Sequence, residues 1–260
     1  RYEEALTCYN EALRLDPTNA ATWSNKGVTL GKQQRYEEAL TCYNEALRLD
    51  PTNAATWSNK GVTLGKQQRY EEALTCYNEA LRLDPTDAAI WSNKGVTLDD
   101  QQRYEEALTC YNEALRLDPT SVLALRNKAD LLYDDLKRYD EALSAAQAAT
   151  TLDPTSVRGW AILGDACRAL GRMDDAKIAY VRAVSLPTND ALTWFNHGRA
   201  LAGLERYSEA IDAFDQALAL EPDDTDTWRY KAKSLRALGR VDEAQAAEAR
   251  VSELEAGTAG

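Results

Sequence analysis

Histidine is nearly absent from this chain, with one in 260 residues. Imidazole is the side chain that titrates near neutrality and binds metals most often, so most acid–base and metal chemistry is removed with it. Positive charge is also scarce. Lys plus Arg is 30 against 42 for Asp plus Glu, a net charge of −12. A general nucleic-acid binder needs an excess of cations facing the phosphates, and this composition argues against one. No apolar run reaches the ~18 residues that a helix needs to cross a bilayer. Phenylalanine is rare, two residues against six tryptophans. The hydrophobic and charged fractions, 44% and 28%, are those of a folded chain rather than a disordered one.

What is present is periodic. The seven prolines are Pro17, Pro51, Pro85, Pro119, Pro154, Pro187 and Pro222, spaced by 34, 34, 34, 35, 33 and 35. Trp23, Trp57, Trp91, Trp160, Trp194 and Trp228 keep the same phase, with Leu125 filling the gap, and are expected to lie mostly buried between adjacent helices. Residues 20–53 and 54–87 differ only at their last position, Asn53 against Asp87, as recent tandem duplication would leave them.

Each unit reads as two helices. In 20–53, Trp23, Gly27 and Leu30 share one helical face, which Lys26 joins through its stem. Tyr36, Ala39, Leu40, Tyr43, Ala46 and Leu47 form a second face. Glu37 and Glu38 suit the first turn of the second helix, where the macrodipole favours acids. Asp50-Pro51 stops that helix, because proline drives the preceding residue out of the α region. Good N-caps precede every first helix: Asn19, Asn53, Asp87, Ser121, Ser156, Asp190 and Asp224. An inserted residue is expected in the turn near Lys137.

Trp23, Gly27, Leu30, Ala39, Tyr43, Ala46 and Pro51, recurring at a period of 34, resemble the tetratricopeptide repeat. The resemblance covers essentially the whole chain, 1–260, as one solenoid. It has a half repeat at 1–19, repeats at 20–53, 54–87, 88–121, 122–156, 157–190 and 191–224, and a capping repeat with a tail at 225–260. It implies an all-α, right-handed superhelix of antiparallel helix pairs whose first helices line a concave groove. Two positions depart from the pattern. Lys26, Lys60, Lys94, Lys128 and Lys231 stand where a large apolar residue is usual, with Leu163 and His197 in the other units. Glu248 replaces the aromatic of Tyr43 or Phe214 in the final unit, as suits a solenoid cap. The chain opens without methionine and in mid-repeat, so it is expected to be a fragment of a longer protein.

Chemistry is sparsely provided for. His197 lies beside Gly198 at a core position, and the sequence offers it no nucleophile or orienting carboxylate. Cys8, Cys42, Cys76 and Cys110 recur at the period, while Cys167 falls outside it. They lack the short pairings of a zinc site and read as packing residues. Their odd total of five fits a reducing compartment, so the expected location is cytoplasmic. The segment Gly27–Gln33 is one residue short of a phosphate-binding loop and lies inside a helix. The paired aspartates lack the calcium-loop pattern. No catalytic residue, cofactor or metal site is expected.

Function is therefore sought on the first-helix face. Asn25, Asn59, Asn93, Asn127 and Asn196 form a ladder broken at Ile162 and Tyr230. An amide both donates and accepts, so such a ladder can pair with the backbone of an extended peptide; the competing reading bonds it to a neighbouring helix. Acidic Asp99, Asp100, Asp130 and Asp134 are expected mid-groove. Arg158, Arg168, Arg199, Arg229, Lys233 and Arg236 are expected toward the C-terminus, with Arg126 nearby. Gathered cations suggest an acidic segment or a terminal carboxylate as ligand. The alternative is local neutralisation, such as Arg126 with Asp130 at i, i+4. The family's chaperone-binding carboxylate clamp is not expected, since Asp130 and Asp165 stand where its first asparagine would help.

The leading reading is a non-catalytic protein–protein interaction scaffold that binds an extended, acidic peptide at Asn25, Asn59, Asn93, Asn127, Asn196, Arg126, Arg158, Arg199, Arg229 and Lys233. The alternative is a structural spacer, or a self-assembly or regulatory arm of a larger multidomain protein. A protein or peptide partner is expected, with no nucleic acid and no membrane. Homo-oligomerisation through the exposed N-terminal helix stays open.

Overall fold

The computed structural model describes residues 2–257, and the tail beyond Gly257 lies outside them. Fifteen α-helices alternate with short turns, and no strand occurs among the described residues. They are α1 (Tyr2–Leu15), α2 (Ala20–Lys32), α3 (Tyr36–Leu49), α4 (Ala54–Lys66), α5 (Tyr70–Leu83), α6 (Ala88–Asp100), α7 (Tyr104–Leu117) and α8 (Val122–Asp130). Then come α9 (Tyr139–Leu152), α10 (Val157–Ala169), α11 (Met173–Val184), α12 (Ala191–Gly203), α13 (Tyr207–Leu220), α14 (Thr225–Ala237) and α15 (Val241–Gly257). The chain groups into two compact units, Arg1–Ala124 and Leu125–Gly260. Within each unit, consecutive helices pack in pairs and each pair packs on the next. This is an all-α helical-repeat architecture.

Local chemistry sets the boundaries. Asn19, Asn53, Asp87, Ser156, Asp190 and Asp224 accept from backbone N–H groups in the first turns of α2, α4, α6, α10, α12 and α14. Ser121 does the same for α8 through the Ala124 N–H. First helices end with a residue in the left-handed region: Gln34, Gln68, Gln102, Lys137 and Glu205, or Gly171 and Gly239. The returning Arg35 N–H then reaches the Leu30 carbonyl at 3.0 Å, which closes the turn. Between repeats, Asp50 Oδ1 accepts from the Thr52 N–H and hydroxyl, and the following proline keeps Asp50 extended.

Five repeats are locked where glycine meets an aromatic ring. A Cβ on Gly27 would sit 2.6 Å from the Tyr43 ring, and the same holds for Gly61 with Tyr77, at 2.8 Å, and Gly198 with Phe214, at 2.5 Å. The two sides of this contact change together. The 122–156 repeat has buried Ala129 and Ala146 at these positions. The last repeat has Ala232 and Glu248, and Glu248 turns outward to Arg236 at 2.6 Å. No aromatic stands where the glycine has gained a methyl group.

The tryptophans differ from a buried-core reading. All six are half-buried, and five donate Nε1–H to the carbonyl of the turn proline, as Trp23 does to Pro17 at 3.0 Å. An indole needs a hydrogen-bond partner, and this one holds the ring over the turn and partly in water. Lys26, Lys60, Lys94 and Lys231 then lie 5.0–5.5 Å from the ring centroids, which explains a cation at this position of the repeat.

The inserted residue near Lys137 is absorbed earlier than the sequence suggests. Leu131–Asp135 forms one π-helical turn, with the Leu136 N–H on the Leu131 carbonyl at 3.0 Å. The turn itself is unchanged, with Lys137 as its left-handed residue. The extra residue is taken up inside the helix and leaves the repeat junction intact, and such bulges often sit at functional sites.

Candidate functional site

The asparagine ladder divides in two. Asn25 is exposed, and Asn59, Asn93 and Asn127 are half-exposed. Their side-chain amides make no hydrogen bond among the described residues. The neighbouring position is tied instead: the Thr56 hydroxyl donates to Ser24 Oγ at 2.9 Å, bridging α2 and α4. Asn196 is different. It is buried, and its Nδ2 donates to the Leu192 carbonyl one turn back at 2.8 Å.

In the C-terminal unit the first helices line a cleft of about 640 Å³. Asp130, Asp134 and Asp135 come from α8 and its π-turn, and Arg158 from α10. Leu192, Phe195, Asn196 and Arg199 come from α12, and Asp226, Arg229, Tyr230 and Lys233 from α14. A second cleft of about 500 Å³ shares Asp134, Arg199, Tyr230 and Lys233, and adds Tyr133, Asp165 and Arg168. The π-turn matters here because it carries Tyr133 and Asp134 into these walls.

Beneath the clefts lies a buried charged network. Arg199 donates Nη2–H to Asp165 Oδ2 at 2.6 Å, and both side chains are at least nine-tenths buried. The Tyr180 hydroxyl donates to Asp165 Oδ1 at 2.6 Å, and Arg168 reaches that hydroxyl at 3.2 Å. Burial opposes the charge on Arg199, but Asp165, Tyr230, Asp134 and Asp130 together outweigh it and keep the guanidinium protonated. Burial, reinforced by Asp165, pushes the Tyr180 phenol far up. Phe195 and Tyr230 flank the guanidinium, 5.7 and 5.4 Å from their ring centroids.

The cations expected to await an acidic ligand are therefore already engaged. Arg199 belongs to the buried pair. Arg158 pairs with Asp130, and Arg229 with Asp226 and Glu255. Arg126 donates to Ser156 Oγ at 3.2 Å and does not pair with Asp130. Lys233 lies over the Tyr230 ring at 4.8 Å. The expected partition of charge along the groove gives way to mixing, because stacked repeats bring acids and bases from different first helices into contact. Arg199 and Asp165 are 34 residues apart, so they are the same position in successive repeats. Opposite charges one period apart were the signal in the sequence that could have revealed this pair.

The Asp134 carboxylate forms no ion pair or hydrogen bond among the described residues. Burial pushes it up to about 6; Arg199 opposes that, while Asp130, Asp165 and Asp135 reinforce it. His197 is half-buried against Trp194 at 5.9 Å, and burial lowers its pKa. The five cysteines are unpaired, with Cys8 exposed and the other four buried. No group of metal-binding side chains occurs among the described residues, and none of their helices is long and apolar enough to cross a membrane.

Paired helices at this period, locked by glycine against an aromatic ring, define a helical-repeat protein. Tetratricopeptide-repeat family models match residues 1–34, 18–86, 52–120, 93–157, 126–191 and 195–254, so the chain belongs to the tetratricopeptide repeat family. Among curated proteins none matches in sequence. Solved structures share the fold. A tetratricopeptide repeat protein from Parabacteroides merdae is 19% identical with a TM-score of 0.70, over 90% of this chain and 92% of that one. The Cut9–Hcn1 hetero-tetramer of APC/C gives 21% and 0.68, over 98% of this chain and 52% of that one. YrrB, titled a TPR protein with an unusual peptide-binding site, gives 22% and 0.57, over 76% of this chain and 97% of that one.

Proposed function

We propose that this chain is a non-catalytic interaction scaffold whose first-helix face in the N-terminal unit grips an extended polypeptide by its backbone. The observation that carries this is the set of unbonded amides at Asn25, Asn59 and Asn93 of the N-terminal unit. An unpaired amide on a helix face offers one acceptor and two donors, the complement of a peptide group. Repeating it once per unit provides for a backbone, which also repeats. A peptide-binding relative of the same fold, YrrB, is consistent with this use. The ligand need not be acidic, since Arg158, Arg199 and Arg229 are matched within the protein.

The test is a titration with uncharged, acetylated nonapeptides, with and without N-methylation of alternate backbone amides. Backbone reading predicts similar affinity across side chains and loss of binding on methylation. Asn59→Leu with Asn93→Leu removes two amide contacts and should weaken binding at least about tenfold, each hydrogen bond contributing ~0.5–1.5 kcal/mol. Binding that survives both changes would leave the near-identical repeats as a structural arm.

A further inference from the structure

The cleft in the C-terminal unit holds more acceptors than the protein satisfies. Asn196 is 1% exposed and lines the cleft, and because its Nδ2 is committed to Leu192, its Oδ1 is the atom left without a partner. Asp130 gives one carboxylate oxygen to Arg158, and its Oδ1 is buried and unpartnered. Asp134, one helical turn further on the same wall, has neither cation nor hydrogen bond. Six carboxylate side chains line this cleft against four cations, and Arg199 is turned to Asp165 behind it. Arg199 Nε is a buried donor without a partner, and Lys233 rests on Tyr230 without an acid. Buried acceptors without donors are costly, and an unpaired carboxylate among them more so.

We propose that this cleft is a specificity pocket for a cationic side chain, lysine or arginine, projecting from the partner polypeptide, with Asp130, Asp134 and Asn196 as its acceptors. An ammonium supplies three donors and a guanidinium five, both as charged hydrogen bonds. The aromatic pair Phe195 and Tyr230, with centroids 5.4 Å apart, borders the pocket and suits the apolar stem of either side chain. The elevated pKa of Asp134 fits the same picture, because a carboxylate in dry surroundings without a cation holds its proton more tightly. The groups facing it are Asp130 and Asp135 on its own segment, Asp165 on α10 and Arg199 on α12. The inference rests on the first-helix face being the ligand-binding surface, but it concerns side-chain choice in one unit rather than backbone reading in the other.

The experiment is an NMR titration of the whole chain with acetyl-Ala-Ala-Lys-Ala-Ala-amide, its arginine, norleucine and glutamate analogues, and n-butylammonium alone, each taken to about 10 mM to capture weak binding. The lysine and arginine peptides should shift the Asn196 side-chain amide and the backbone of 130–135. The norleucine and glutamate peptides should not. Asp134→Asn, a change of one atom at a partly exposed site, should weaken lysine-peptide binding at least about tenfold, the effect of losing one charged hydrogen bond. Lys233→Met removes the cleft cation that pairs with no acid and should strengthen it. Asn59→Leu with Asn93→Leu should leave the lysine-over-norleucine preference intact, so failure of the backbone reading and failure of this pocket are separable. Equal binding of lysine and norleucine peptides, preference for glutamate, or no shift at 130–135 would overturn the proposal. Butylammonium binding as tightly as the lysine peptide would overturn its polypeptide part.

Discussion

The two compact units solve the same packing problem with different polar chemistry. In the N-terminal unit three repeats are nearly identical, and the buried polar residues are hydroxyls: Thr29, Thr56, Ser58, Thr63, Ser92 and Thr97. In the C-terminal unit the repeats have diverged, and Asp165 and Arg199 are buried as an ion pair. The difference follows from repetition itself. Stacking identical units sets each residue beside its own copy, so a position must tolerate itself. Asparagine and threonine do, since each both donates and accepts. A buried charge does not, because like charges repel in a poorly screened interior. Arginine can face aspartate at the same position of adjacent repeats only after the two copies have diverged. Charges in the N-terminal unit instead pair between unlike positions in water, as Arg69 does with Glu72 at 2.7 Å. Such exposed pairs contribute little.

Breaking the buried pair tests this contrast most severely. Arg199→Met leaves buried Asp165 with only Tyr180 and the longer contact to Arg168, at 3.5 Å, and should destabilise the C-terminal unit by up to about 3–5 kcal/mol. Hydrogen exchange should show the loss there, with α2–α6 unchanged, as expected where repeats contact only their neighbours. An Arg199→Met, Asp165→Leu double variant should recover much of it. Full stability in the single variant would mean that the network contributes nothing to the fold.

The glycine–aromatic lock sharpens the comparison from the other unit. Gly61→Ala drives a methyl group into the Tyr77 ring and should cost about 1–3 kcal/mol in chemical denaturation. Gly31→Ala meets its nearest atom at 3.6 Å and should instead stabilise α2 by up to about 1 kcal/mol. Equal effects at the two sites would remove the steric account of the repeat.

Asp134 gives the C-terminal unit a pH dependence. Its folded pKa of about 6 lies above that of an unfolded aspartate, ~3.9, so the native state binds the extra proton between these values. Stability should therefore fall as pH rises from 4 through 6 and level off above that. Asp134→Asn should abolish this contribution, gaining up to about 2 kcal/mol at pH 8 and almost nothing at pH 4. A variant that gains equally at both pH values would show that Asp134 does not carry the effect.

Smaller effects concern α1 and the ladder. Helix α1 buries only Leu6 and Leu13, whereas α3, with the same sequence, buries six residues. Amides of α1 should exchange at least about tenfold faster than those of α3, because local opening follows buried contacts. Asn59→Ala removes an amide that bonds nothing in the protein, and should change stability by no more than ~0.5 kcal/mol.

Helix ends and pairing were legible in the sequence because caps, proline stops and the 34-residue phase act within a few residues of themselves. The first-helix face was legible too, since it follows from helical geometry. What each groove residue does was not. Asn59 and Asn196 occupy the same position of the repeat, yet one is half-exposed and unbonded and the other is buried against Leu192. Arg199 reads as a free groove cation until Asp165, one period away, is seen beside it. The tryptophans read as core until their Nε1 groups are found on the turn carbonyls. In each case a partner outside the local helix decides.

The helix YEEALTCYNEALRL occurs four times, as α1, α3, α5 and α7, and the residues alone fix its length and its amphipathic face each time. They do not fix its surroundings. Cys8 is exposed in α1, while Cys42, Cys76 and Cys110 are buried in the other three. Hydrogen bonds and caps are local and travel with the sequence. Burial is a property of what packs on top, and only the tertiary structure supplies that neighbour.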